Sequence, residues 1–264
     1  MYLERYCAFI DILGFREIIA QLDKGKTSAL SLTHLLGEIH QPKRGLSSLA
    51  KADIRVQSIS DAVAISVAPT AEGLGQLFLA TDALTIKLLS MGYFIRGAIA
   101  KGRLYHDGNM IFGEALVRAY QFESQVARYA RLLVTRDVKL DVDKFVKDTK
   151  FADLFEDRVR QSDDGPYYSN SLRDIALAAT MVDPKIKFGT TAIAHNLLEI
   201  REIIQQRLDE AADNPRHFEK VQWFASYWND VMWPAPGSED TKFGVTMGPE
   251  VGHAEAEVHA GVQT

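Results

Sequence analysis

Cysteine is almost missing from this chain: Cys7 is the only one in 264 residues. A single thiol excludes a disulfide framework and a cysteine-built zinc cluster, and it makes a reducing, cytoplasmic setting the expectation. Long apolar runs are missing too. None approaches the ~20 residues of a bilayer span, and the opening MYLERYCAF lacks the basic-then-apolar layout of a secretory leader. No membrane partner is therefore expected. Positive charge is in deficit: 30 Lys and Arg against 35 Asp and Glu leave a formal net charge of -5. Such a chain has no basic field with which to gather nucleic acid. The 7 histidines show no ligand spacing, so zinc is not expected. What is present is an apolar fraction of 47%, which is incompatible with wholesale disorder. It suits one large domain, or one domain with an appendage.

The order of elements is read from hydrophobic periodicity. Residues 5–13 read as a buried strand, and FREIIAQL begins a helix at Phe15. A second helical stretch covers 29–39, and 41–46 is a Pro/Gly break. The alternation of Ile54 to Ser58 is that of a strand, Ser60-Asp61 a tight turn, and AVAISV (62–67) the returning strand of a hairpin. A long amphipathic helix over 72–91, a strand over 93–100, a Gly/Asp-bearing excursion over 102–109, a helix over 113–130 and a strand over 131–135 follow. This order contains a ferredoxin-like βαββαβ core with a further helix and strand, an α+β class. Such a sheet exposes one face unless something covers it.

Three segments are expected: a core over 1–136, a mostly helical C-terminal extension packed on it over 137–248, and a flexible tail over 249–264. Within the extension, 197–210 is strongly helical. The aromatic stripe from Trp223 through Phe224, Tyr227 and Trp228 to Trp233 reads as core packing, not as a platform for stacking bases.

The chemistry begins with a carboxylate in the wrong place. Asp11 interrupts the apolar run AFIDILGF, and a buried unpaired carboxylate is costly. It either caps the helix that follows or holds a cation. Asp61, in the hairpin turn, is a second carboxylate that a ferredoxin-like sheet can bring beside the end of the first strand. Alone, Asp61 is as readily a turn residue. Together, two aspartates with backbone carbonyls and water suit magnesium or manganese. Gly14 lets the backbone approach a phosphate, and the following helix N-terminus offers free N–H groups to an anion.

FIDILGF, SISDAVAIS, IRGAIAKG and IFGEALVRAYQFES occur in that order. The set resembles the catalytic domain of class III nucleotidyl cyclases, which carry an Asp-hydrophobic-x-Gly-Phe strand end, a Gly-Asp hairpin turn, an Arg-x-Gly-Ile strand and a Gly-starting helix. Within that superfamily it is most similar to the Pycsar pyrimidine cyclases of bacterial antiphage defence. The resemblance covers roughly 5–135 by motif and 136–233 by general layout. It implies that Asp11 and Asp61 hold two divalent metals, Mg2+ or Mn2+, with the Ile12 carbonyl completing one. It implies also that backbone N–H groups around Leu13, Gly14 and Phe15 cradle a triphosphate. The site would lie between two head-to-tail copies, making a homodimer with sites at its interface.

The departures from purine cyclases shape the functional expectation. At the base-reading positions of those enzymes stand Gln57 and Met110, and at their transition-state Asn and Arg positions stand Val117 and Gln121. A smaller base than a purine fits better. Arg96, Arg103 and Arg118 are the arginines that could supply the missing charge, with Arg96 the catalytic candidate. The expected activity is a uridylate cyclase: UTP to 3′,5′-cyclic UMP and pyrophosphate, with a downstream effector reached through the cyclic nucleotide. CTP is the alternative substrate, since Gln57 can serve either base by turning its amide. A purine cyclase with altered readers and a nucleotide-binding regulator without turnover remain open as well.

Overall fold

The computed structural model describes residues 1–26, 28–40, 53–180, 190–232 and 244–247. The expected break at 41–46, the stretch around Trp233 and the tail at 249–264 lie outside these residues.

Strand β1 (Leu3–Ile12) is central because its middle is apolar on both faces. It pairs antiparallel with β3 (Ala62–Val67) on one side and β4 (Ile95–Asp107) on the other. Helices α1 (Phe15–Asp23) and α2 (Ala29–His40) follow β1, and β2 (Arg55–Ile59) forms the hairpin with β3. Helix α3 (Ala71–Ser90) leads into β4. Strand β5 (Met110–Gly113), α4 (Glu114–Gln125) and β6 (Leu132–Val134) complete the first half. The order β2-β3-β1-β4 is that of the ferredoxin-like core, and β6 adds parallel to β4.

The sheet continues past β6. After α5 (Arg136–Val146) and α6 (Ala152–Phe155), strands β7 (Val159–Gln161) and β8 (Tyr167–Ser169) extend it in the order β6-β8-β7. The segment after 136 thus contributes strands to the same sheet as well as helices α7 (Arg173–Thr180), α8 (Thr190–Glu210) and α9 (Pro215–Met232).

Alternation along the strands makes two unlike faces. One carries Tyr6, Ala8, Ile10, Ile12, Val63, Ile65 and Ile99, packed against Leu74, Leu77, Phe78 and Leu88 of α3. Each such Leu or Phe contributes roughly 1.5–3 kcal/mol by leaving water. The other face is built of small groups, Cys7, Ala62, Ala64 and Ala100, beside Phe9. It lets α4 lie close through Ala115 and Ala119. Next to α4, helices α8 and α9 cover Ala98 and Leu133 with Leu197, Ile200, Phe224 and Trp228. Of the aromatic stripe, Phe224, Tyr227 and Trp228 are core, as expected: Trp228 is fully buried, and Phe94 meets Phe224 edge-to-face at 5.0 Å.

One expectation is corrected. The segment 102–109 is not an excursion: β4 runs unbroken to Asp107 because its far half pairs with the start of β1 (Leu104 with Leu3) and with β5. His106, inside that segment, is buried with Nδ1 2.7 Å from Ser66 Oγ. The helix expected to reach 130 ends at Gln125. Among the described residues no helix is long and apolar enough to cross a membrane.

Candidate active site

The strand register assembles the site. Asp11, at the end of β1, stands opposite Ala62 on β3 and opposite Arg96 on β4. Asp61 immediately precedes Ala62 in the two-residue turn between β2 and β3, so the turn delivers it to the Asp11 end of the sheet. Ser60 turns the chain there with φ +59°, a left-handed conformation that glycine adopts more readily. The register and the turn thus set the Asp61 carboxyl beside that of Asp11. Burial, then the neighbouring Asp61 carboxyl, then Glu123, push Asp11 up to about 7, while Arg96 pulls the other way. Two neighbouring carboxyls repel each other, and a divalent cation between them would relieve that repulsion.

Asp11 is not a helix cap. The residue at the N-terminus of α1 is Gly14, in the left-handed conformation at φ +82°, with no side-chain capping bond. The ladder runs one residue beyond β1, where the Leu13 N–H donates to the Phe94 carbonyl at 2.9 Å. This corrects one expectation: the Leu13 amide is spent on the sheet and is not available to a phosphate. The first helical bond of α1 runs from the Glu17 N–H to the Gly14 carbonyl, so the Gly14, Phe15 and Arg16 N–H groups precede the helical ladder. Two aspartates, the Ile12 backbone and these amides are thereby gathered at one sheet end. Among the described residues no group of three or more His, Cys, Asp or Glu side chains is arranged to hold a metal. The shell of a cation here would need backbone, water and phosphate oxygens beside the two aspartates.

Of the three candidate arginines the fold brings one to the pair. Arg96 Nη2 lies 3.5 Å from Asp11 Oδ2 and 2.5 Å from Glu123 Oε1. Arg118 is tied to Asp137 by two contacts at 2.9 and 3.0 Å. Arg103 lies over the Tyr2 ring, 4.8 Å from its centre, on the opposite face of β4. Glu123 is the residue that sequence reasoning missed. Its signal is its spacing: Ala115, Ala119 and Glu123 recur every four residues along the buried side of α4.

Gln57 shares the sheet face of Phe9 and Asp11, since it pairs with Ala64, which pairs with Phe9. Its Oε1 is buried with no hydrogen-bond partner among the described residues. Met110 is 58% exposed and pairs with Asp107 at the far end of β4. At the rise of a strand that is on the order of 30 Å from Arg96. One chain therefore does not unite Met110 with the aspartates. Val117 and Gln121 lie on the solvent side of α4. A cavity lined by Leu89, Phe94, Arg131, Ser169, Phe224 and Tyr227 lies away from the pair, and at about 10 Å³ it has room for one water, not a nucleotide.

No protein-family model matches the chain, and no curated protein matches it. Solved structures do. They include the monomeric guanylyl cyclase domain of the RhoGC fusion protein from the aquatic fungus Blastocladiella emersonii, at 14% identity and TM-score 0.39, covering 64% of this chain and 95% of that one. A bacterial light-regulated adenylyl cyclase matches at 18% identity and TM-score 0.38, with 53% of this chain and 45% of that one covered. An adenylate/guanylate cyclase/hydrolase from Silicibacter pomeroyi matches at 14% identity and TM-score 0.40, covering 64% and 96%. Identities and scores this low carry no argument about activity, and the chemistry rests on the residues above.

Proposed function

We propose that the chain is a nucleotide cyclase that closes a nucleoside triphosphate into its 3′,5′-cyclic monophosphate, with pyrophosphate as the second product. The observation that supports this reading is the juxtaposition of Asp11 and Asp61 beside the Gly14 turn and the start of α1. A divalent cation held by the pair would lie next to amides suited to phosphate.

Asp11 and Asp61 would hold Mg2+ or Mn2+, two per site, with the Ile12 carbonyl. When bound, these cations would lower the pKa of the 3′-hydroxyl and balance the charge of the departing pyrophosphate. The Gly14 and Phe15 amides orient the triphosphate. Arg96 sets a positive charge beside the reacting phosphoryl group, in the role that Val117 and Gln121 cannot fill. The 3′-oxygen bonds to the α-phosphorus, the bond to the bridging oxygen of pyrophosphate breaks, and the hydroxyl proton leaves to solvent.

The base is proposed to be uracil, with cytosine the alternative. Gln57 offers one donor group and one acceptor to a pyrimidine edge, and its buried, unpartnered Oε1 suits an incoming donor such as uracil N3–H. Met110 offers neither. Because Met110 lies at the far end of β4 and Val117 and Gln121 face solvent, the reading includes a head-to-tail homodimer in which a second copy completes each site. A role in antiphage defence, with cyclic UMP as the messenger read by a separate effector in the cytoplasm, follows from the sequence resemblance. The division into a core over 1–136 and an extension over 137–248 is proposed from the change of pattern after Thr135.

The test is product formation from UTP, CTP, ATP and GTP, each with Mn2+, resolved by chromatography against cyclic standards. Cyclic UMP as the main product is expected. Cyclic CMP would replace the base assignment and keep the reaction. A purine product would overturn the reading of Gln57 and Met110. No cyclic product from a folded, dimeric protein would favour a nucleotide-binding regulator, the reading to which Val117 and Gln121 lend weight.

A further inference from the structure

Arg96 is held in an unusual way. Its guanidinium lies mostly inside the protein, yet its Nε has no hydrogen-bond partner among the described residues, and Nη1 reaches the Ala127 carbonyl only at 3.5 Å. Its strong contact is charge against charge, Nη2 to Glu123 Oε1 at 2.5 Å, without the alignment of a good hydrogen bond. Glu123 itself is 4% exposed, and a buried carboxylate is retained only where a countercharge meets it. Asp11, by contrast, stands 3.5 Å from the same nitrogen, beyond a charge-assisted bond. An arginine across the ladder from a carboxylate would ordinarily close on it. Here a third residue, from α4, competes for it.

We propose that Glu123 is the positioning residue of Arg96: it anchors the guanidinium on the α4 side, so that Asp11 stays available to a divalent cation. Without that anchor Arg96 closes on Asp11 and competes with the cation for the same oxygens. The same anchoring leaves the unpaired Arg96 donors for a substrate oxyanion. The inference rests on the cyclase reading in taking Asp11 as a cation ligand.

The experiment is Mn2+ binding to the full chain without nucleotide, followed by the electron paramagnetic resonance of the free ion. Glu123→Gln, Arg96→Met and the double variant are compared with the unaltered protein, each checked for folding by thermal melting. Glu123→Gln is expected to weaken Mn2+ binding about tenfold, and the same change in the Arg96→Met background to do nothing further. Arg96→Met alone is expected to tighten binding several-fold, which keeps the proposal testable if Glu123→Gln does not fold. Equal weakening by Glu123→Gln in both backgrounds would overturn it, since Glu123 would then act as a bare negative charge. No change in either background would overturn it as well, as would unaltered or weaker binding in Arg96→Met. No Mn2+ binding by the unaltered protein would overturn the inference and the two-metal reading together. Mn2+ binding without coupling between Glu123 and Arg96 would overturn the inference alone.

Discussion

Asp11, at the end of β1, has Asp61 of the β2–β3 turn for a neighbour, and burial together with that second carboxyl pushes Asp11 up to about 7. Two predictions come from this pair.

The first concerns pH. Asp11 holds its proton to higher pH in the fold than in the unfolded chain, where its ordinary value is 3.8. Between about 4 and 7 the native state therefore binds more protons, and stability falls as pH rises through that window. Asp11→Asn removes the titration. Without metal, the variant is expected to match the unaltered protein near pH 4 and to exceed it by about 1–3 kcal/mol at pH 8. Thermal melts at the two pH values check this; equal differences at both would remove the raised Asp11 carboxyl from the account. Mn2+ should release a proton on binding near pH 6, measurable as buffer-dependent heat in calorimetry.

The second concerns turnover. Asp61→Ala removes a proposed metal ligand from a half-buried turn position outside the hydrophobic core, so the fold should persist. Cyclase activity is expected to drop by at least about 100-fold, the loss of several kcal/mol of charge stabilisation. Retained activity with an intact melting curve would return Asp61 to the role of a plain turn residue.

Gln57 supplies a specificity test. Gln57→Ala deletes one hydrogen-bonding group from the proposed base pocket. It is expected to raise KM for the pyrimidine nucleotide by roughly 3–10-fold with kcat nearly unchanged. Gln57→Glu leaves only acceptors and is expected to favour CTP, whose exocyclic amine donates. An unchanged ratio of UTP to CTP turnover in both variants would remove Gln57 from the base site.

Arg158 supplies a stability test. It is 2% exposed, bonds the Leu154 carbonyl at 2.9 Å and reaches Asp82 of α3 at 2.5 Å and Asp174 of α7 at 2.8 Å. It thus ties the segment entering β7 to the first half of the molecule. Arg158→Ala leaves Asp82 buried without its partner, and a loss of about 3–5 kcal/mol is expected in denaturant unfolding. Burial pushes Asp82 up and Arg158 holds it down, so removing Arg158 raises it further. The variant should therefore recover part of its loss at low pH, where Asp82 is neutral.

Gly97 tests the register that builds the site. A Cβ there would stand 2.3 Å from the Phe9 carbonyl oxygen, so β4 lies against β1 only because the residue beside Arg96 is glycine. Gly97→Ala is expected to cost about 1–3 kcal/mol and to lower activity as well, by moving Arg96 from its place opposite Asp11.

Much of this molecule was legible in the chain itself. The near-continuous apolar run of β1, the return of AVAISV after Ser60-Asp61 and the long periodic α3 fix the βαββαβ order, because strand and helix periods are local properties of a sequence. The identity of the two carboxylates was legible for the same reason, since an Asp inside an apolar run is locally costly. What the tertiary structure decided is who stands beside them. Arg96, Arg103 and Arg118 are alike in sequence. Only the register of β4 against β1 brings Arg96 to Asp11, and only the docking of α4 through Ala115 and Ala119 adds Glu123. The Leu13 amide was open to a phosphate by sequence and is closed by a ladder bond to Phe94, a partner 81 residues away. A short strand is legible over 167–172, where β8 forms, but β7 and the joining of both to the sheet are not, because a three-residue strand has no period to read; they extend the sheet through pairing with β6 and with each other. Local pattern decides which elements form, whereas the charge environment of a side chain depends on contacts between distant segments that only the folded packing creates.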